Sequence, residues 1–324
     1  MLREKKLVTI NISKKHLDMN RKIVVFYDKI KIWIKCLMAE KNTIAAVFKL
    51  GYTAIGYISS VFAFSVLLKD LIGFTTAENL CKRYWMILIL IGTITSFVKN
   101  HEQVSYKSKV KDDDLQVEVE VNDLFSIKAS SYVIPTNTYF RTIMEAEYVS
   151  PNSVQGAFQL KYFAKNMNEL DKLIATSLEQ QGVIGKASSD IHGPVKQYPV
   201  GTVAKVDVRG KHFYFVAIND VNKYGKPINQ TYHNVDIALK GLLNAILLFG
   251  HCDDIATPLM GTGKAAIREA TLENVVKETV NIFVDSKDKI ARKLTICISP
   301  KDYLEDKMDL KRIGKYIDYK CEFK

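Results

Sequence analysis

The pattern of apolar and polar positions divides the chain into a membrane-like first third and a long remainder in which short apolar runs alternate with amphipathic ones. Leu50–Leu68 (LGYTAIGYISSVFAFSVLL) carries no charge. As a helix it spans about 28 Å, close to the hydrocarbon thickness of a bilayer. Tyr84–Val98 (YWMILILIGTITSFV) is also uncharged. It reaches only about 22 Å, which snorkelling of Lys82 and Arg83 would extend by a turn. Two transmembrane helices, about 50–68 and 82–98 within a hairpin at 44–98, are the reading; a buried helical hairpin is the alternative. Gly56/Ser60, Ser59/Ala63 and Gly92/Ser96 recur at four-residue spacing, which predicts a helix-packing face within the hairpin or between protomers. Residues 1–43 are basic and contain RKIVVFYDKIKIWIKCLM, which fits a helix on a membrane surface. Its KIKIWIK alternates as a strand would. Lysines flanking the two runs place both termini in the cytoplasm by the positive-inside rule.

Beyond a polar stretch at 99–114, expected as a linker, residues 115–324 predict one α/β domain. Leu115–Val121 (LQVEVEV) alternates strictly, as an edge or half-buried strand does. Ser131–Thr136 is a second strand. Helices are expected from about Ser153, over Asn168–Gln181 and over His233–Phe249. Val200–Val208 and His212–Asn219 predict a hairpin about Arg209-Gly210. Ile255–Leu259 reads as a buried central strand, followed by a glycine turn and a helix from about Lys264 to Ile282. Lys293–Ile298 is a last strand and Lys301–Ile317 a closing helix. Alternation of strands and helices predicts a mixed sheet between helices.

Composition narrows the function classes. With 48% hydrophobic and 25% charged residues the 324-residue chain is not disordered. The net charge of +11 suits a polyanionic ligand or an anionic membrane surface. Nucleic acid is not favoured, since no reading helix or base-stacking motif accompanies the charge. The five cysteines are scattered without a CxxC, which argues against a disulfide framework or a zinc site. No Ser/His/Asp arrangement or metal-ligand spacing stands out, so no catalytic residue, metal or cofactor is assigned.

The strongest local chemistry lies in DDIATPLMGTGKAAIREA (Asp253–Ala270). Gly261-Thr262-Gly263 allows positive φ and close backbone approach. A helix opening at Lys264 would point free amides and the positive end of its dipole at a phosphate. The spacing is not that of a Walker loop, and a plain turn between strand and helix is the alternative.

Taken in order, these stretches resemble a macro domain, the ADP-ribose-binding fold, over roughly Leu115–Lys324. Asp123 and Leu124, in Val121-Asn122-Asp123-Leu124, stand where the family recognises adenine. Asn137, ending Val133-Ile134-Pro135-Thr136-Asn137, stands where the distal ribose is contacted. Ser153, Val154, Gln155, Gly156, Ala157 and Phe158 occupy the place of the first phosphate loop. Met260, Gly261, Thr262, Gly263 and Lys264 occupy the place of the second. Family hydrolases generally carry a glycine run after the Asn motif, where this chain has Thr138-Tyr139-Phe140-Arg141. The resemblance therefore favours a receptor over a hydrolase.

Two apolar runs ahead of such a domain resemble the membrane-macro effector of Thoeris anti-phage defence systems. That resemblance implies a multi-pass protein of the bacterial cell membrane. Its ligand would be an ADP-ribose derivative, histidine-linked ADP-ribose being the form expected, made from NAD by a partner TIR enzyme. It further implies a homo-oligomer that disrupts the lipid bilayer and arrests growth or kills the cell. Membrane-tethered hydrolysis of ADP-ribose and passive reading of it are the alternatives. Tyr139, Phe158, Asp190 and His192 are the candidates for lining a histidine pocket.

Overall fold

The computed structural model describes residues 43–73, 75–100, 104–144, 148–250, 253–262, 267, 271–306 and 308–324. The amphipathic segment before residue 43 lies outside the described residues. The chain divides into two compact units between Val104 and Ser105.

Among the described residues the first unit holds three helices: α1 (Thr43–Ile72), α2 (Thr75–Arg83) and α3 (Trp85–Asn100). Gly51–Ile72 of α1 is long and apolar enough to cross a membrane, and only 6% of it is buried. The second expected span is corrected. The chain bends at Tyr84, so Lys82 and Arg83 end α2 rather than extend α3. Lys82 and Lys69 instead both pair with Glu78, at 2.5 and 2.9 Å. The apolar part of α3, Trp85–Ser96, falls short of a span. α3 packs along α1: Thr53 and Ser96 hydroxyls lie 2.7 Å apart. A Cβ on Gly92 would come within 2.7 Å of Ile58, so the small residue permits this approach. Gly56 faces open space, which makes the packing face that of Gly92 and Ser96 alone within the hairpin.

The second unit is a mixed α/β fold. In chain order its strands are β1 (Ser105–Lys109), β2 (Gln116–Val121), β3 (Ser131–Asn137), β4 (Lys186–Asp190), β5 (Gly193–Gln197), β6 (Val203–Val208), β7 (Lys211–Val221), β8 (Pro227–Ile228), β9 (Asp254–Pro258) and β10 (Lys293–Ile298). The main sheet runs β1-β2-β10-β9-β3-β7-β6, with β8 beside β7. Its five central strands are parallel, and both outer pairs are antiparallel. Helices α4 (Val154–Tyr162), α5 (Met167–Gln180), α6 (Tyr232–Phe249), α7 (Leu272–Val284), α8 (Pro300–Asp306) and α9 (Leu310–Glu322) complete the unit.

Side-chain alternation builds the two faces. Tyr132, Ile134, Phe213 and Phe215 join Phe158, Phe163, Leu170, Ile174 and Leu178 of the α4–α5 region in one core. Tyr214, between the phenylalanines, turns to the other face, its ring 6.4 Å from Phe249 of α6. β2 shows the expected alternation, with Val117, Val119 and Val121 fully buried. It is not an edge, because β1 arises from the segment expected as a linker and pairs along it. The Arg209-Gly210 hairpin forms with both residues at positive φ.

Two helix boundaries differ from expectation. Ile267 and Thr271 are not helical, and α7 opens at Leu272 because Thr271 caps it, its Oγ1 accepting from Asn274 N. The closing helix is two, because Asp309 starts α9 afresh by accepting from the Lys311 and Arg312 amides.

Candidate functional site

All five parallel strands end at one pole of the sheet, where loops and helix N-termini of α/β folds receive ligands. β2 ends into Asn122, whose amide donates to Ile298 O of β10 (2.9 Å). The Asn122 Oδ1 accepts from Asp123 N, and Asp123 Oδ1 accepts from Phe125 N, both at 2.9 Å. Asp123 thus caps the 3-10 turn Leu124–Ser126 with one oxygen, and no partner engages its Oδ2 among the described residues. The carboxylate is exposed, and a free oxygen there can accept from an amine. The Leu124 side chain is buried, and its carbonyl accepts from Ile127 N (3.3 Å). Beneath the turn, Cys297 Sγ donates to Asn122 O (3.1 Å). Burial pushes this thiol well above its usual range, so it is no nucleophile.

β3 ends at Asn137, which is buried and accepts from Tyr139 N through Oδ1 (3.0 Å). At the next strand, β9 leads to buried Met260 and to Gly261 at φ +84°. Thr262 Oγ1 donates to Leu259 O (3.2 Å), and Ile267 N donates to Gly261 O (3.3 Å), closing a loop. Gly263 and Lys264 lie outside the described residues. The helix expected to open at Lys264 starts at Leu272, so the dipole of α7 does not sit at this turn.

The second loop of interest opens α4. Ser153 Oγ accepts from Gly156 N (3.0 Å) and donates to Ser150 O (2.7 Å). The Val154 and Gln155 amides, in the first turn, have no acceptor within the helix. Val154 and Ala157 are half-buried. A Cβ on Gly156 would lie 2.1 Å from Ser150 O, so only glycine lets the loop press on the helix. Gly156→Ala is expected to displace the Ser150–Ser153 loop and to cost about 1–3 kcal/mol, read as a lowered urea midpoint at unchanged slope.

The structure gives Phe158 and the candidate pocket residues Tyr139, Asp190 and His192 the following surroundings. Phe158 is fully buried, its ring 4.6 Å from Phe213 and 5.1 Å from Phe215, so its side chain belongs to the core. Gln155 is buried too, and its Nε2 donates to Arg141 O (3.0 Å). Arg141 in turn grips Asp190 at the tip of the β4–β5 hairpin, Nε to Oδ2 at 2.7 Å and Nη2 to Oδ1 at 2.8 Å. Asp190 has no exposed side-chain surface. Its oxygens are engaged by Arg141 and by the His192 amide (2.8 Å). His192 occupies the hairpin turn, edge-on to Tyr148 with centroids 5.2 Å apart. Burial, and then the Asp190 carboxylate, push the Tyr148 hydroxyl up to about 12. Tyr139 is half-buried, with its hydroxyl 3.5 Å from that of Ser188.

This hairpin was not anticipated. LysAlaSerSerAsp and GlyProValLysGln lack apolar alternation, and what holds the strands is polar: Tyr198 N to Thr138 O (2.9 Å), Gln197 Nε2 to Asp220 Oδ1 (2.7 Å) and the Arg141–Asp190 pair. The candidate site thus draws on elements that follow parallel strands β2, β9 and β3: the Asn122–Leu124 turn, the Met260–Thr262 loop and the α4 N-terminus, with Asn137 ending β3. No group of His, Cys, Asp and Glu suited to a metal ion occurs among the described residues.

Residues 117–299, more than half of the chain, match the family described as "Thoeris protein ThsA, Macro domain". Solved structures of similar fold include an Oceanobacillus iheyensis macrodomain mutant with ADPR, at 14% identity and TM-score 0.45, covering 65% of this chain and 99% of that one. The macrodomain of Thermus aquaticus DarG is 13% identical with TM-score 0.37, covering 57% of this chain and 98% of that one. A Trypanosoma brucei macrodomain in complex with ADP-ribose is 9% identical with TM-score 0.39, covering 59% and 68%. No curated protein matches the chain.

Proposed function

The chain belongs to the macro-domain family of the Thoeris protein ThsA, and from that premise we propose that its second unit is a receptor for an ADP-ribose-derived nucleotide and its first unit a membrane effector. The observation that carries the reading is the convergence, at the carboxyl pole of a parallel sheet, of an exposed carboxylate and two amide-bearing loops. Asp123 Oδ2 accepts from the adenine amino group. The diphosphate lies between the Met260–Thr262 loop and the Val154 and Gln155 amides, and the distal ribose meets Asn137. α1 supports the membrane role: it is uncharged over Leu50–Leu68 and has few buried residues, unlike the core helix of a soluble fold. A TIR enzyme supplies the ligand. Binding shifts the chain toward a self-associated state that breaches the bilayer, which requires the ligand to favour that state over the resting one. A receptor rather than a hydrolase is supported by Arg141, which stands in the family's glycine run and is spent on Asp190.

The test is calorimetric titration of the full chain in a neutral detergent with ADP-ribose, NAD and histidine-linked ADP-ribose. Tight binding of one ADP-ribose derivative without its breakdown is expected. Asp123→Ala removes a charge-assisted hydrogen bond and is expected to weaken that binding about tenfold or more. An affinity unmoved by Asp123→Ala would sink the assigned site, and release of free ADP-ribose from a conjugate would make the protein a hydrolase.

A further inference from the structure

A cluster of cations sits near the amino-terminal ends of β3 and β7 and reaches the Leu124–Ser126 turn at Phe125. Four rings form a continuous shelf there: Phe125 and Tyr132 (6.1 Å between centroids), Tyr132 and Phe213 (5.4 Å), Phe213 and Tyr162 (5.0 Å), and Tyr162 and Phe125 (6.4 Å). Three cations lie over it. Lys161 Nζ is 5.3 Å from the Phe125 ring and 5.8 Å from that of Tyr162, Arg209 Cζ is 5.5 Å from Tyr162, and Lys211 Nζ is 4.7 Å from Tyr132.

The pleat sorts the charges. On β6 and β7, Asp207 pairs with Lys205 (3.4 Å) and His212 (2.7 Å). These residues share the face of Tyr214, toward α6, as strand alternation requires. Arg209 and Lys211 border the turn and reach the α4 face, which that acid does not serve. Lys161, Arg209 and Lys211 have no acidic partner among the described residues. Hydrogen bonds tether two of them: Lys211 Nζ donates to Tyr132 Oη (2.9 Å) and Lys161 Nζ to Phe125 O (3.3 Å). Three like charges are therefore held together by rings and neutral oxygens. No acid among the described residues offsets their charge, and part of the entropy cost of ordering these side chains has already been met.

The geometry points to a phosphate-binding site formed by Lys161, Arg209 and Lys211, distinct from the Met260–Thr262 loop and the α4 N-terminus. Its ligand is a multiply charged phosphate group, from a soluble phosphorylated compound or a lipid headgroup. The ring faces are covered by the cations, so recognition is of charge and not of a stacked base.

The experiment is amine footprinting of the full chain, with Lys161 and Lys211 read individually by mass spectrometry and exposed Lys315 as reference. Inorganic pyrophosphate in neutral detergent tests the soluble source. Vesicles of phosphatidylcholine, with and without phosphatidylglycerol, test the headgroup. Selective protection of Lys161 and Lys211 of about tenfold is expected at a probe concentration roughly ten times the dissociation constant. It should shrink about threefold in Arg209→Gln, the worth of one exposed charge contact. Protection by pyrophosphate assigns a soluble ligand, and protection only by anionic vesicles assigns a headgroup. No protection, protection shared by Lys315, or protection indifferent to Arg209→Gln overturns the site. Arg209→Gln leaves the nucleotide affinity of the parent intact, so failure of the nucleotide reading and failure of this one are read separately.

Discussion

Phe158→Ala is expected to cost about 3–5 kcal/mol of unfolding free energy, the range for truncating a fully buried aromatic. The ring contacts Phe213, Phe215, Tyr162 and Phe163, all within 5.7 Å between centroids, so its removal empties the junction between α4 and the sheet. Urea unfolding of the full chain in detergent, followed by a probe of the second unit, measures the loss. Phe158→Leu, which refills part of the space, should recover much of it. Nucleotide affinity, measured where the variant is still folded, separates a core role from a pocket role. A core residue alters stability far more than it alters affinity. A variant of undiminished stability and lost binding would return Phe158 to the ligand site.

Removing Arg141 should be as damaging. Arg141→Ala leaves the Asp190 carboxylate buried without its counter-charge, a change that typically costs about 3–5 kcal/mol. Arg141→Lys restores the charge but not the two-pronged geometry, and should recover only part of the loss. Replacing both partners by residues of similar volume, as in Arg141→Met with Asp190→Leu, should cost less than Arg141→Ala alone. The pair also predicts a pH dependence. Burial pushes the Asp190 carboxyl up, but the Arg141 guanidinium and the His192 amide outweigh it and hold it below the usual carboxylate range. A lowered folded-state value means that the stabilisation is present above the unfolded-state pKa of about 3.9 and is lost as pH falls through the folded-state value. Stability of the parent should therefore fall on acidification below about pH 4 more steeply than that of the double replacement. Parallel acid limbs would exclude Asp190 as a source of that slope.

What the sequence reveals and what it hides follow from the range of the forces involved. Val117, Val119 and Val121 announce β2 because each must leave water on the same face, and Arg209-Gly210 announces its hairpin because the turn requires positive φ. The order of loops around the candidate site was legible for the same reason, since β2, β3 and β9 declare their own ends. The break at Tyr84 was not legible, because no glycine or proline marks it in the sequence. The start of α7 was overrun because Lys264–Ala270 has good helix formers, while the deciding signal was the quieter Thr271 cap. The β4–β5 hairpin was invisible because its anchors are partners distant in sequence, with Arg141 and Asp190 lying 49 positions apart. Phe158 was misplaced because position in a motif does not show which way a helical side chain points.

β1 bears on how the second unit can be prepared alone. A truncated chain beginning at Leu115, where the sequence suggests a domain start, would lose Ser105–Lys109 and with it every β1 pairing along Gln116–Glu120. The exposed rim would then be a hydrogen-bonding strand with Val117 and Val119 beside it, a template for another chain's strand. Such a fragment should precipitate or exchange segments with its neighbours, whereas one cut ahead of Ser105 should stay monodisperse.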